Sequence, residues 1–172
     1  KLLWDAFAKV GNEVAQIGRE LAVSRDEAAQ IRQHFVNIAN SSANLRNTYE
    51  EIMSAQSALN DALGTASKMI SGDILDGMAT LSNTIGLSDE QMVNFGKAAL
   101  ATSTSVEQLT KDAAKGLIAT SQEYGVRAKF PKLLANIGKV TGQVRAIMGA
   151  NFELMGKTVS KAQLLGKEMS EV

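Results

Sequence analysis

Residues 3–70 read LWDAFAKV GNEVAQIGRE LAVSRDEAAQ IRQHFVNIAN SSANLRNTYE EIMSAQSALN DALGTASKMI. Apolar side chains recur along this stretch on alternating steps of four and three. One series runs Leu3, Val10, Ile17, Ser24, Ile31, Ile38, Leu45, Ile52, Leu59, Ala66; the other runs Phe7, Val14, Leu21, Ala28, Phe35, Ser42, Tyr49, Gln56, Leu63, Ile70. Seventeen of these twenty positions are apolar or alanine. The step from the first series to the second is four residues and the step back is three, which puts the first at heptad position d and the second at a. A free amphipathic helix keeps a 3.6-residue period and drifts about 20° per heptad against a strict seven-residue repeat. The uncorrected repeat therefore predicts one supercoiled helix over most of residues 3–70, about 100 Å long at 1.5 Å per residue. A bundle helix with an apolar stripe is the alternative, but such helices seldom run beyond about 25 residues without caps or breakers.

On this reading Phe7, Val10, Val14, Ile17, Leu21, Ile31, Phe35, Ile38, Leu45, Tyr49, Ile52, Leu59, Leu63 and Ile70 form an oligomer interface. Glu20 at g and Arg25 at e are five residues apart, as are Glu27 and Arg32, the spacing of interchain ion pairs between parallel strands. Isoleucine at d and bulky Phe7, Phe35 and Tyr49 at a widen the core, which favours a parallel homotrimer over a dimer, with a hexamer around a common axis as the rival. Polar Ser42 and Gln56 at a would then face their own copies and fix register.

Past Ile70 the pattern loosens around Gly72, Gly77 and Gly86, where a helix is expected to fray or bend. Ser88-Asp89-Glu90-Gln91 and Ser105-Val106-Glu107-Gln108 each have the form of a capping box, predicting short helices over 89–101 and 106–124. Gly125 is placed to end the second, and Phe130-Pro131 to open a last helix. That last segment carries small residues at Gly138, Gly142, Ala146, Gly149 and Gly156, which fit either a close approach of backbones or a flexible helix with no special packing, and its apolar register shifts by one near Met148. The fold class is thus all-α and elongated. It divides into a long coiled-coil helix over 1–85, short capped helices over 86–125, and a glycine-containing C-terminal helix over 126–172.

The composition bears on function. The chain has 172 residues, 45% hydrophobic but only 5% aromatic, and the shortage of aromatics argues for an elongated bundle rather than one compact core. Eighteen basic residues balance eighteen acidic ones, so no nucleic-acid stripe or polybasic anchor is indicated. There is no cysteine to form disulfides or thiolate metal sites. No apolar run is long enough to cross a bilayer. The chain opens on Lys1 and stops at Val172 inside a helical pattern, and is expected to be a segment of a longer polypeptide.

Catalytic chemistry finds few participants. His34 is the one histidine, at heptad position g beside Phe35, where a solvent-facing flank residue is expected. Asp73 and Asp76 could share a helix face, but no third ligand of calcium-loop spacing follows, and they read as a solvated acidic bend. Asp89 and Glu90 sit in a first helical turn, where negative charge favours the helix dipole. No glycine-rich phosphate loop follows a strand. A non-enzymatic protein without cofactor or metal is expected.

The stretch Ile85-Gly86-Leu87-Ser88-Asp89-Glu90-Gln91, echoed more weakly by Thr104-Ser105-Val106-Glu107-Gln108-Leu109, resembles stretches of phage tail tape measure proteins, in which Gly-hydrophobic-Ser-x-Glu opens short helices between long coiled coils. The resemblance covers residues 80–125 by motif and the rest by style, and the second copy departs from it with Thr104 where glycine is usual. It implies a virion component packed in the tail lumen, made in the host cytoplasm, whose length sets that of the tail. Its partners would be the tail tube and the tail tip or baseplate hub, with no specific nucleic acid and with membrane contact only during ejection. A bacterial coiled-coil signalling protein, or a secretion-system translocator or needle-tip bundle, is the alternative.

Overall fold

A computed structural model describes residues 2–65, 69–125, 129–139 and 151–166, and of residues 2–4 the backbone alone. The chain is all-helical, with eight α-helices and no strand among the described residues. They are α1 (Leu2–Glu20), α2 (Arg25–Ser41), α3 (Tyr49–Leu63), α4 (Gly72–Thr80), α5 (Asp89–Thr102), α6 (Val106–Tyr124), α7 (Phe130–Lys139) and α8 (Phe152–Leu164).

The stretch expected as one helix over 3–70 forms three helices here. The breaks have a local cause in side chains that compete for the helical amides. At Ser24 the hydroxyl accepts from the Glu27 amide at 3.3 Å, and the Glu27 carboxylate accepts from the Ser24 amide at 2.9 Å, a reciprocal cap that starts α2. The chain arrives there through a Schellman turn, in which the Val23 amide donates to the Gly18 carbonyl at 3.2 Å and Ala22 takes φ 53°. The Glu51 carboxylate likewise accepts from the Thr48 amide at 2.7 Å where α3 begins.

The second break is also fastened to the rest of the fold. Asn47, 4% exposed, donates through Nδ2 to the Asp76 carbonyl at 2.9 Å and to Thr80 Oγ1 at 2.8 Å. Asn44 Nδ2 donates to Thr84 Oγ1 at 3.0 Å. The loop over 42–48 is thereby tied to α4 and to the π-helical turn Leu81–Ile85 that continues it. Far from fraying, α4 buries Ile74, Leu75 and Met78, and the widened turn after it ends at Gly86 in the left-handed region, φ 76°.

The later boundaries follow the sequence closely. Ser88 and Ser105 cap α5 and α6, Gly125 closes α6 at φ 67°, and α7 opens on Phe130-Pro131. The register shift near Met148, with Gly142, Ala146 and Gly149, lies outside the described residues.

One contiguous core joins all the helices, from Val14 on α1 through Phe35, Ile52, Leu75 and Phe95 to Val159 on α8. The expectation that few aromatics would preclude such a core does not hold. Leucine, isoleucine, methionine and alanine fill most of it, and Phe95 meets Phe152 with ring centres 5.7 Å apart.

Candidate assembly interface

The α1–α2 pair forms an antiparallel hairpin, and among the described helices α2 is the one against which α1 packs extensively. Its turn brings Gly18 over Ala28, and further along Arg32 Nε donates to Glu13 Oε2 at 2.6 Å with both side chains largely covered. The Arg32 guanidinium also lies 5.6 Å from the ring centre of Tyr49, whose ring is 6.2 Å from that of Phe35. Burial, and secondarily the nearby Glu13 charge, push the Tyr49 phenol up to about 12.

The expected interface residues divide into two groups. Val14, Ile17, Leu21, Phe35, Ile38, Ile52, Leu59 and Ile70 are buried in the chain's own core, and Ile31 and Tyr49 are packed at its edge. Phe7 (70% exposed), Val10 (39%), Leu45 (98%) and Leu63 (40%) face outward. The d and a series thus does bury a seam, but much of it against helices of the same chain. Gln56 accepts from the Ile70 amide at 3.1 Å, an in-chain contact for a residue expected to face its own copy.

The flank charges are engaged locally too. Glu27 serves the Ser24 cap, and those hydrogen bonds hold its carboxyl below the usual range. Arg32 pairs with Glu13, and Glu20 accepts from Gln16 at 2.8 Å. Arg25 stands exposed in the first turn of α2. His34 is exposed, its ring centre 6.4 Å from that of Phe35, as expected of a flank residue. Asp73 and Asp76 are not joined by a third acidic, histidine or cysteine ligand among the described residues. Asp76 Oδ1 instead accepts from Asn47 at 2.7 Å.

The most extensive packing lies between α6 and α8, centred on two glycines. A Cβ on Gly116 would sit 2.7 Å from the Lys157 amide nitrogen and 2.9 Å from the Gly156 carbonyl carbon. One on Gly156 would sit 3.1 Å from Ala113 Cα, so the two backbones nearly touch. Gly156 thus sits at a close backbone approach, and a Cβ on Gly138 would lie 2.8 Å from Gln91 Cβ. Gly116 was not singled out in the sequence, although Ala113-x-x-Gly116 and Gly156-x-x-x-Ser160 are small-residue spacings of the kind that mark such crossings. Lys161 bridges the rim, 3.5 Å from Glu123 and 5.4 Å from the Tyr124 ring centre.

No family model, curated protein or solved structure matches the chain.

Proposed function

We propose that this chain is a structural segment of a phage tail tape measure protein, a self-associating helical element that fills the tail tube and helps set tail length. The observation that carries the reading is the element over 86–91. Gly86 turns the chain at φ 76°, Leu87 is buried, and Ser88 with Gln91 caps a short helix. These are the residues on which the resemblance rests, and they open a short helix, as it implies. The outward-facing half of the α1 stripe, Phe7 and Val10, supports self-association. The parallel homotrimer is the favoured assembly, with the tail tube and the tip or baseplate hub as partners in the virion.

In-frame deletion of the 62 codons for residues 2–63 in the parent virus tests the ruler. A ruler held as helix at 1.5 Å per residue gives tails shorter by up to about 90 Å in electron micrographs. Infectious particles with tails of unaltered length would refute it.

A further inference from the structure

We propose that α1 is a hinged arm: the turn Leu21-Ala22-Val23-Ser24 straightens, α1 and α2 become one helix from Leu2 to Ser41, and the freed seam from Phe7 to Ile31 is covered by the same seam of other copies of this chain. The inference rests on the self-association reading, not on the tail as its location.

From Arg19 to Leu63 the sequence contains neither glycine nor proline, so the turn is held against a helix by the Ser24–Glu27 cap and not by a residue unable to be helical. Ala22 at φ 53° occupies the left-handed region that Gly64, Gly86 and Gly125 occupy at other helix ends, and a Cβ is disfavoured there. Straightening would relieve that strain and put alanine where it is favoured most.

The seam also keeps phase through the turn. Ile17, Leu21, Ser24, Ala28 and Ile31 continue the four-three step without an insertion, although a folded-back hairpin does not require its two helices to share one register. Among the described helices α1 packs extensively on α2, and its release would also break the exposed Lys9–Glu50 ion pair to α3 at 3.5 Å. The second turn, over 42–48, is held by Asn47 on α4, so opening is confined to the first. In the folded-back state the arm leaves Phe7 exposed and Val10 partly so, and a second copy in register would bury them with Val14, Ile17 and Leu21. Exchange of an element between copies through a short strained hinge is a recognised route to oligomers.

The test uses the full 172-residue chain, which carries no cysteine of its own. Spin labels on Asn12→Cys and Gln33→Cys, both exposed, flank the Glu13–Arg32 pair. Folded back, the two backbones lie about 10 Å apart; in one helix they lie about 31 Å apart. As concentration rises, light scattering should show an oligomer, and dipolar spectroscopy should show the long distance growing with it. The variant Gly18→Cys/Ala28→Cys locks the hairpin, since a Cβ at Gly18 lies 3.9 Å from Ala28 Cβ, within disulfide range. Oxidised, it should remain monomeric, and reduction should restore association. Ala22→Gly, which favours the folded-back turn, should raise the concentration needed for association at least roughly fivefold.

A monomer at every concentration, an oligomer that keeps the short distance, or association undiminished by the lock would each overturn the proposal. Should the double-cysteine variant fail to fold, the spin-label distances and Ala22→Gly still decide. An opening arm combined with unchanged tails after the deletion would retain the hinge and remove the ruler.

Discussion

Adding one methyl group should have opposite effects at two kinds of glycine in this chain. Gly116→Ala places a Cβ 2.7 Å from the Lys157 amide nitrogen and 2.9 Å from the Gly156 carbonyl carbon, both backbone atoms that cannot rotate away as a side chain could. The helices α6 and α8 must move apart along their most extensive contact, and overpacking of this sort costs about 1–3 kcal/mol. The upper end applies because the obstruction is main chain. Replacing an interior helical glycine by alanine returns about 1 kcal/mol of helix propensity, leaving a net loss of about 2 kcal/mol. For a domain of this size that lowers Tm by roughly 4–8 °C. Gly11 on α1 has nothing within 4 Å of its would-be Cβ, so Gly11→Ala should gain up to about 1 kcal/mol of helix stability. Gly156→Ala should resemble Gly116→Ala, and the double variant should cost less than the sum, because one separation of the helices relieves both clashes. Urea unfolding followed by circular dichroism measures all four variants. Equal stabilisation by Gly116→Ala and Gly11→Ala would refute the close crossing.

Three further outcomes are expected. In Tyr124→Phe the chain keeps Tyr49 as its one tyrosine, and absorbance titration should place that phenol at about 12. Since the folded value lies above the unfolded one of 10.0, the contribution of the neutral phenol is complete below pH 10.0 and is lost as pH rises from there towards 12; an ordinary titration would mean that Tyr49 is not covered beside Glu13. Ser88→Ala should weaken α5 by about 1 kcal/mol, read as faster hydrogen exchange in its first turn, because the hydroxyl that accepts from Gln91 is gone; unchanged exchange would show that Ser88 is no cap. Asn47→Ala removes the amide that donates to the part-buried Asp76 carbonyl and Thr80 hydroxyl and should cost about 0.5–1.5 kcal/mol in urea unfolding, whereas unchanged stability would show the loop to be held otherwise.

Much of the second half of the fold was legible because its boundaries are encoded locally. Ser88 with Gln91, Ser105 with Gln108, and Gly125 each act on amides or carbonyls within four residues of themselves, and α5 and α6 begin and end within a residue of where those signals place them. Ser24-x-x-Glu27 and Thr48-x-x-Glu51 are the same kind of signal, but the surrounding seven-residue periodicity masked them. That periodicity reports that a helix buries one stripe against another helix at a shallow angle. It does not report whether the second helix belongs to the same chain. Ile17 and Leu21 satisfy it within the hairpin, and Phe35, Ile52 and Leu59 satisfy it in the shared core. Gly116 was missed because a glycine within a helix shows its purpose only through the residue across the crossing, and Gly156 lies forty positions away. Leu45 and Leu63 face outward singly, whereas in the N-terminal half of α1 two successive positions of the repeat do so. There Phe7 and Val10 keep the seam's phase while facing outward, so the periodic signal for an intermolecular partner falls on an arm whose turn is held by the Ser24–Glu27 cap and not by a glycine or proline.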